Sequence, residues 1–293
     1  MKLTWLPDAA LRPRRIAIGT FDGVHLGHRA VIDGFDTVLT FDPHPTQVVH
    51  PASAPKLLTN LDRKAQLVAE LGAEELVVIP FDGAFAKQTA QEFIDHVLLG
   101  RLGATAVSVG DNFHFGAKAQ GTAAMLEGDG RFDVRVVELL EFGGAPVSST
   151  RIRKLIAEEG DVAGAAELLG STFTMRGTVV HGDKRGRELG FPTANILPDD
   201  RFVTPAHGIY ACITGQGRAA AVSIGLRPTF ETGRGVLIEA YVLDFDGDLY
   251  GQEIEVAFHH FLRPEAKFGG LEALVAQMDA DCAEAKRLLS AQP

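Results

Sequence analysis

Two histidines stand three residues apart at the end of the segment Gly19 to His28, which reads Gly-Thr-Phe-Asp-Gly-Val-His-Leu-Gly-His. A short apolar strand, Ile16 to Ile18, precedes this segment, and a helix is expected to begin within it. The internal glycines would let a ligand approach the backbone, and free N–H groups at a helix start attract anions. Because residues three apart share a helix face, His25 and His28 could together stabilise charge that builds up on a phosphate.

A second polar set lies in the last third of the chain. The segment from His181 to Arg187 is a basic loop with two glycines, and the segment from Gly190 to Asn195 follows it. Thr193 and Asn195 are two residues apart, so in extended backbone their oxygens face the same way and could coordinate one hard cation. By itself, Pro-Thr-Ala-Asn also reads as an ordinary loop.

Glu239 lies in the middle of an apolar strand pattern, where neither face looks solvated. A carboxylate in that position is either paired with a basic side chain for structural reasons or held as a general base. The cation-binding pair and the basic loop in the same region favour the base.

Two further segments carry polar groups at positions where strands end or helices begin. The loop from Gly110 to Gly116 interleaves polar and aromatic residues that could grip a flat ring, although an ordinary turn with core aromatics has the same pattern. The segment from Ser148 to Arg153 opens a helix with hydroxyls that are typical caps. The cations that follow these hydroxyls make an anion site plausible in an acidic chain.

The first half of the chain alternates strand and helix signals, which predicts a parallel, Rossmann-like sheet with ligands at the carboxyl ends of its strands. A helix is predicted from Asn60 to Leu71, and Thr89 with Glu92 forms a predicted capping box. The predicted strands are Arg15–Gly19, Thr37–Phe41, Glu75–Phe81, Thr105–Gly110 and Asp133–Leu139.

From Phe173 onward, strand signals follow one another without helices, which predicts a closed antiparallel barrel covered by one amphipathic C-terminal helix. Asp246-Gly247 predicts a hairpin turn. The predicted strands are Phe173–Val180, Gly208–Thr214, Arg218–Ile224, Gly235–Phe245 and Gln252–Phe258. The predicted organisation is a first domain over 1–158, a helical linker over 159–172 and a second domain over 173–293.

Composition limits the classes of function. A net charge of −10 argues against a general nucleic-acid binder. Two cysteines, Cys212 and Cys282, with no metal spacing indicate a reducing compartment. With no secretory signal pattern and no run of 18 apolar residues, the expectation is a cytoplasmic protein that does not enter a membrane.

Four motifs occur in one order along the chain: Gly19 to His28, Gly110 to Gly116, Ser148 to Arg153 and Gly190 to Asn195. In this set the chain resembles the bacterial bifunctional riboflavin kinase and FMN adenylyltransferase family, over nearly its whole length. The resemblance implies an α/β nucleotidyltransferase domain followed by a six-stranded antiparallel β-barrel. It further implies that the barrel phosphorylates riboflavin to FMN with ATP, and that the first domain adenylylates FMN to FAD and releases pyrophosphate.

The resemblance also implies roles for individual residues of the first domain. His25 and His28 would stabilise the attacked α-phosphate, and Asn112 would touch ATP or flavin. The remaining residues implied to bind ATP or its phosphates there are Gly19, Phe21, Asp22, Gly23, Ser149, Thr150 and Arg153.

In the barrel, the resemblance implies that Glu239 accepts the hydroxyl proton and that Arg263 helps to position flavin. Thr193 and Asn195 would bind Mg²⁺ with ATP, and Tyr250 would border the adenine. The residues implied to cradle phosphates are Gly182, Lys184 and Arg187. The implied partners are riboflavin, FMN and ATP, and the oligomeric state is left open.

One departure from the family pattern concerns the segment Arg29 to Thr37, whose nine residues leave room for a helix of about two turns at most. We therefore expect the sheet face beneath it to be thinly covered. This departure supports a second hypothesis, a monofunctional riboflavin kinase whose first domain is structural or regulatory. A third hypothesis is a flavin-binding or nucleotide-sensing protein without turnover, against which the intact histidines and Glu239 argue.

Overall fold

A computed structural model describes residues 1–181, 191–226 and 236–290 of the chain. The chain divides into two compact units, Met1–Ser149 and Thr150–Pro293. This division falls earlier than the predicted end of the first domain at residue 158, and the predicted boundaries stay a prediction.

The first unit is built on a six-stranded sheet in which every pair of neighbours is parallel, in the order β1-β4-β3-β2-β5-β8. The five strands predicted from the sequence are confirmed within one or two residues at each end. The prediction missed β1, a four-residue edge strand with only one buried side chain, which leaves almost no alternation to detect. The strands of this unit are β1 (Lys2–Trp5), β2 (Arg14–Ile18), β3 (Thr37–Asp42), β4 (Glu75–Pro80), β5 (Ala104–Gly110), β6 (His114–Phe115), β7 (Gly121–Thr122), β8 (Asp133–Val137), β9 (Glu141–Phe142) and β10 (Ala145–Pro146).

The helices begin where the sequence provides caps. The Asn60 side chain accepts a hydrogen bond from the backbone N–H of Arg63, and both halves of the capping box between Thr89 and Glu92 are formed, as predicted. The helix that opens at this box continues with π-type hydrogen bonding over Phe93–Arg101, and α6 continues in the same way over Leu155–Glu159. The helices are α1 (Leu26–Ile32), α2 (Pro45–Val49), α3 (Leu61–Glu70), α4 (Ala90–Glu92), α5 (Ala123–Asp129), α6 (Ser149–Lys154), α7 (Val162–Leu169) and α8 (Leu271–Ser290).

The sheet face beneath α1 is well covered, so the expectation of thin cover was wrong. The helix does have the predicted length of about two turns, with seven residues. However, Val31 and Ile32 pack with Phe35 and with Leu67 and Val68 of α3 into one buried cluster. The neighbouring helix and the connector therefore supply the cover that α1 is too short to give.

Arg135 of β8 closes the C-terminal end of this short helix. Its Nη2 donates hydrogen bonds to the backbone carbonyls of Ala30, Val31 and Asp33, at 3.1, 2.9 and 2.7 Å. A cation at that end donates hydrogen bonds to carbonyls that have no partner within the helix, and it interacts favourably with the negative end of the helix dipole. Arg135 therefore stabilises the helix that carries His28.

A buried ion pair ties the amino ends of the central strands together. Arg14 and Glu75 are 2% and 3% exposed, and the Arg14 Nε lies 3.0 Å from the Glu75 carboxylate. Burial acts to raise the pKa of Glu75, but hydrogen bonds from Arg14 and Thr4 and the Arg14 charge outweigh it, so the pKa lies below its usual value. The pair therefore stabilises the fold at neutral pH and stops doing so as acid protonates Glu75.

We expect Glu75→Gln to destabilise the first unit by about 3 kcal/mol, because the variant leaves the Arg14 charge buried without its counter-charge. Urea unfolding followed by the fluorescence of Trp5, the single tryptophan, measures this loss. The difference from the wild type should shrink as the pH falls through the acid range. Glu74→Gln, at the exposed neighbouring position, is the matched control, and equal midpoints for the wild type and Glu75→Gln would contradict the prediction.

The described part of the second unit contains six strands, which close into an antiparallel barrel in the order β11-β12-β15-β14-β13-β16. This confirms the predicted architecture. The α8 helix packs on β13, β14 and β16, and α7 packs on β11 and β16. The strands are β11 (Phe173–Val180), β12 (Ala194–Pro198), β13 (Gly208–Thr214), β14 (Ala219–Leu226), β15 (Val236–Val242) and β16 (Glu253–Arg263).

Three details of the barrel differ from the sequence predictions. Ala194–Pro198 is a strand rather than part of a loop, because its N–H and C=O groups pair with both β11 and β15. The prediction of a hairpin turn at Asp246-Gly247 was wrong, because the strands on either side of it, β15 and β16, are not neighbours in the barrel. The last strand continues to Arg263, beyond its predicted end at Phe258.

Candidate active sites

The order of the first sheet reverses between β2 and β5: the chain moves outward from β2 through β3 to β4, then returns to the other side of β2 with β5. In parallel α/β sheets, ligands bind at the carboxyl ends of the strands where the order reverses. The segment from Gly19 to His28 follows β2, and the segment from Gly110 to Gly116 follows β5. The two motifs singled out in this half of the chain therefore flank the same crevice.

The turn after β2 is held in an unusual backbone conformation. Phe21 and Val24 have φ angles of 47° and 44°, and Gly23 between them has a φ of 88°. Left-handed backbone at a residue with a side chain costs roughly 1–3 kcal/mol and is concentrated at functional sites, where the surrounding structure enforces it. The contacts of Asp22 and Lys64 supply that enforcement.

Asp22 is buried, and its hydrogen bonds connect the turn to other parts of the chain. Its Oδ1 accepts hydrogen bonds from the backbone N–H groups of Leu58 and Thr59, and its carbonyl accepts one from the Ser149 hydroxyl at 2.9 Å. The Thr59 hydroxyl in turn accepts a hydrogen bond from the N–H of Gly23. Asp22 and Ser149, both predicted to bind phosphates, thus join the turn to two neighbouring segments.

The two histidine rings stack, with centroids 3.5 Å apart and planes 17° from parallel. His25 precedes α1, and its Nδ1 accepts a hydrogen bond from the backbone N–H of His28 at 3.3 Å. An imidazole whose Nδ1 accepts carries its proton on Nε2, which makes Nε2–H the donor of His25.

Glycine has a different role at position 27 from the one expected. The sequence suggested that a ligand approaches the backbone there, but a Cβ at Gly27 would lie 3.3 Å from the His25 ring. Gly27 therefore makes room for His25, whereas Gly23 provides the left-handed conformation. The ring of Phe21 meets that of His28 edge-on at 5.3 Å and helps to orient it.

Lys64 is a residue of this site that the sequence interpretation missed. It is 8% exposed, and its Nζ donates to the Thr20 carbonyl at 2.7 Å and to the Thr40 hydroxyl at 3.3 Å. Burial lowers its pKa, while the carboxylates of Asp22 and Asp42 act in the opposite direction. The sequence did contain a signal for this residue: position 64 shares a helix face with the apolar residues Leu67 and Val68, which is an unusual place for a lysine.

The loop after β5 presents Asn112 at the surface beside a series of aromatic rings. Phe113 and Phe115 stack with centroids 5.5 Å apart, and Phe115 lies 5.4 Å from Phe93. The series continues through Phe85, Phe81 and Phe41. Thr150 and Arg153, predicted to bind phosphates with Ser149, belong to the second unit, so their roles stay predictions.

In the barrel, three polar residues lie side by side on adjacent strands. Asn195 of β12 is the register partner of Glu239 of β15, and Glu239 is the partner of Ser223 of β14. Directly opposed residues of antiparallel strands share a face, with Cβ atoms about 5 Å apart. The predicted base and the predicted metal ligand are therefore neighbours, and Ser223 joins them as a residue that the sequence interpretation missed.

Asn195 is 6% exposed, and its side-chain Oδ1 has no hydrogen-bond partner among the described residues. Leaving a buried amide oxygen without a partner costs free energy, so such an atom indicates a missing ligand. Thr193 directly precedes β12, so its predicted place beside Asn195 stays a prediction.

A cavity of about 310 Å³ lies in the second unit. Its lining residues Thr214, Val242 and Glu253 lie at the barrel end where β11 finishes and β12 begins. The other lining residues are Arg176, Gly215, Gln216, Phe245, Leu249, Ile254 and Glu255.

Tyr250 is next to this cavity in sequence, and its ring lies 4.0 Å from that of His181. The three predicted phosphate-binding residues that follow His181, namely Gly182, Lys184 and Arg187, lie outside the described residues. Arg263, at the other end of β16, forms a bidentate ion pair with Asp281 of α8, with hydrogen bonds of 2.9 and 2.6 Å. This pair fixes the guanidinium, and its predicted contact with flavin stays a prediction.

Among the residues that the structure describes, no group of three or more His, Cys, Asp and Glu side chains is arranged to hold a metal ion. No helix within the described residues combines the length and apolar character needed to cross a membrane.

Two family models match this chain: FAD synthetase over residues 8–151 and riboflavin kinase over residues 169–289. A bifunctional riboflavin kinase/FMN adenylyltransferase from Listeria monocytogenes is 41% identical over 282 residues, covering 91% of this chain and 89% of the relative. The protein of the same name from Escherichia coli K12 is 38% identical, with coverages of 91% and 90%. A crystal structure described as a macrolide-efflux protein from Streptococcus pneumoniae matches with a TM-score of 0.87 and 30% identity, over 98% of this chain and 99% of the other.

Proposed function

This chain belongs to the family of bifunctional riboflavin kinases and FMN adenylyltransferases, and we propose that its two activities reside in the two sites described above. The barrel transfers the γ-phosphoryl group of ATP to riboflavin, and the first unit adenylylates the resulting FMN. The observation that carries this proposal is the pairing of Glu239 with Asn195, which puts a proton acceptor beside a buried oxygen that has no protein partner among the described residues.

In the kinase reaction, the 5′-hydroxyl oxygen of riboflavin forms a bond to the γ-phosphorus. The bond between that phosphorus and the β–γ bridging oxygen breaks, and ADP leaves. Glu239 accepts the hydroxyl proton, which makes the oxygen a better nucleophile. Asn195 and Ser223 are the register partners of Glu239 on its two neighbouring strands and therefore share its face of the sheet.

The chemistry of Thr193 and Asn195 fits Mg²⁺, which prefers oxygen ligands and is commonly held by few protein groups together with substrate phosphates. The Oδ1 of Asn195, which has no partner among the described residues, is the acceptor that would hold it. When bound, the cation would offset the negative charge that spreads over the transferred phosphoryl group.

We assign the cavity at this end of the barrel to the adenine of the ATP used by the kinase. Val242, Phe245 and Leu249 give it apolar walls, while Thr214 and Gln216 offer polar atoms. Its volume is at the small end of ligand pockets, which suits one ring system. Val242 lies three residues beyond Glu239 on β15, about 10 Å at the usual rise of a strand, and its side chain points to the opposite face, so the nucleotide would have to pass around the end of the strand.

In the adenylyl transfer, a phosphate oxygen of FMN forms a bond to the α-phosphorus of ATP. The bond between the α-phosphorus and the α–β bridging oxygen breaks, and pyrophosphate leaves. No proton must be removed from the nucleophile, because a phosphate monoester is largely ionised at neutral pH. His25 and His28 therefore act as hydrogen-bond donors to the α-phosphate oxygens, where negative charge builds up.

Incubating the purified full chain with riboflavin, ATP and Mg²⁺, and then separating the flavins by chromatography, tests the proposal. We expect FMN to appear first and FAD to accumulate after it. FMN without FAD would contradict the assignment of the first unit, and unchanged riboflavin would contradict both assignments. A parallel reaction supplied with FMN measures the second step independently of the first.

A further inference from the structure

We propose that Lys64 is a positioning residue for adenylyl transfer, whose buried ammonium holds the turn that carries His25 and His28. The inference rests on the proposed role of that turn. Lys64 extends from α3 to the carboxyl ends of the central strands, where its Nζ donates to the Thr20 carbonyl at 2.7 Å. The Thr40 hydroxyl of β3 donates to the same carbonyl at 3.0 Å and accepts from Lys64 at 3.3 Å.

The carbonyl that Lys64 binds lies where the backbone becomes strained. Thr20 immediately precedes Phe21, the first residue in the left-handed conformation. A conformation of this kind persists only if its surroundings outweigh its cost. By fixing Thr20 against both α3 and β3, Lys64 sets the direction in which the backbone enters the turn, and therefore the position of the histidines that follow.

The charge of Lys64 has a second effect at this site. Burial lowers the pKa of Lys64, and the carboxylates of Asp22 and Asp42 act against that lowering, so both carboxylates stand near the place proposed for the ATP phosphates. The ammonium offsets one of these negative charges. Without it, the two carboxylates would repel the nucleotide, and this repulsion is weakly screened because Asp22 and Lys64 are buried.

Burying a lysine is a poor way to stabilise a helix. Position 64 shares its buried face with Leu67 and Val68, where an apolar side chain would avoid the desolvation penalty of an ammonium. A residue that served stability alone would therefore be replaceable by methionine without loss. The expected loss is instead in turnover, which separates a positioning role from a structural one.

The test compares Lys64→Met and Lys64→Arg with Arg63→Met, the adjacent cation of α3, whose guanidinium donates to Gln66. With FMN supplied, we expect Lys64→Met to lower the kcat of adenylyl transfer by about 30-fold and to raise the KM for ATP several-fold, since small misplacements of a reacting group have effects of this size. Lys64→Arg keeps the charge, so its KM for ATP should stay near the wild-type value while its kcat falls less. Arg63→Met should match the wild type.

Two readouts separate this proposal from simple unfolding and from failure of the proposed site. Unfolding followed by Trp5 fluorescence identifies the temperature range in which Lys64→Met is fully folded, and a kcat equal to that of the wild type within that range would overturn the proposal. If Lys64→Met does not fold, Thr40→Val removes one partner of the same carbonyl and should lower kcat several-fold; an unchanged kcat would again overturn it. His28→Ala tests the site itself, so a loss there without any loss in the Lys64 variants contradicts only the role of Lys64.

Discussion

Glu239→Gln is expected to lower the rate of FMN formation by about 10³-fold, the size of effect typical of losing a general base. Glutamine has the same shape and keeps its place between Asn195 and Ser223 on the neighbouring strands, but it cannot take up the hydroxyl proton of riboflavin. The KM values for riboflavin and ATP should change only a few-fold. Steady-state kinetics with chromatographic detection of FMN measures both quantities.

Several controls make this result specific to Glu239. Glu239→Asp keeps a carboxylate on a shorter side chain and should recover part of the rate. Glu272→Gln changes an exposed carboxylate of α8 and should leave FMN formation unchanged. Adenylyl transfer from supplied FMN should also be unaffected in Glu239→Gln. If this variant forms FMN at the wild-type rate, Glu239 is not the base.

The two sites differ because their nucleophiles differ. The hydroxyl of riboflavin is almost wholly protonated at neutral pH, so the barrel needs a proton acceptor beside the phosphoryl group that is transferred. The phosphate of FMN is already an anion, with a second ionisation near pH 6. A carboxylate next to it would repel it, and hydrogen-bond donors serve better. The barrel site accordingly centres on a carboxylate that accepts a proton, and the site of the first unit centres on two imidazoles that donate hydrogen bonds.

Much of this arrangement could be predicted from the sequence because it depends on local signals. The parallel sheet followed from alternating strands and helices, and the carboxyl ends of parallel strands are where ligands bind. The segments after β2 and β5 could therefore be identified as candidate ligand-binding segments from the sequence alone. The spacing of His25 and His28 likewise predicted that the two side chains lie close together.

The parts that could not be predicted depend on pairing between distant segments. Nothing in the sequence of Ala194–Pro198 aligns Asn195 with Glu239, since the register of β12 against β15 is fixed by backbone hydrogen bonds that form only in the closed barrel. The partners of Arg135 are similarly distant in sequence, and they explain how a helix of seven residues stays ordered. The cover over the sheet was misjudged because the contribution of α3 could not be anticipated.

His28→Ala is expected to lower the rate of FAD formation from supplied FMN by about 10²- to 10³-fold, as removal of one donor to a developing oxyanion does in other enzymes. The ring of His28 stacks on that of His25 and meets Phe21 edge-on, so alanine also removes packing that orients its neighbours. FMN formation from riboflavin should stay at the wild-type rate, because the barrel is a separate compact unit. Initial rates of both reactions, measured on one preparation, give the comparison.

His28→Phe separates the donor from the packing, because a phenyl ring can stack on His25 but has no N–H group to offer a phosphate. If hydrogen bonding is the role of His28, phenylalanine should lower FAD formation as much as alanine does, with the unfolding of the first unit unchanged. His96→Ala, at an exposed position of the helix that begins at Ala90, is the matched control and should keep full activity. Full FAD formation by His28→Phe would show that His28 only orients its neighbours, and His25 would then be the remaining donor at the α-phosphate.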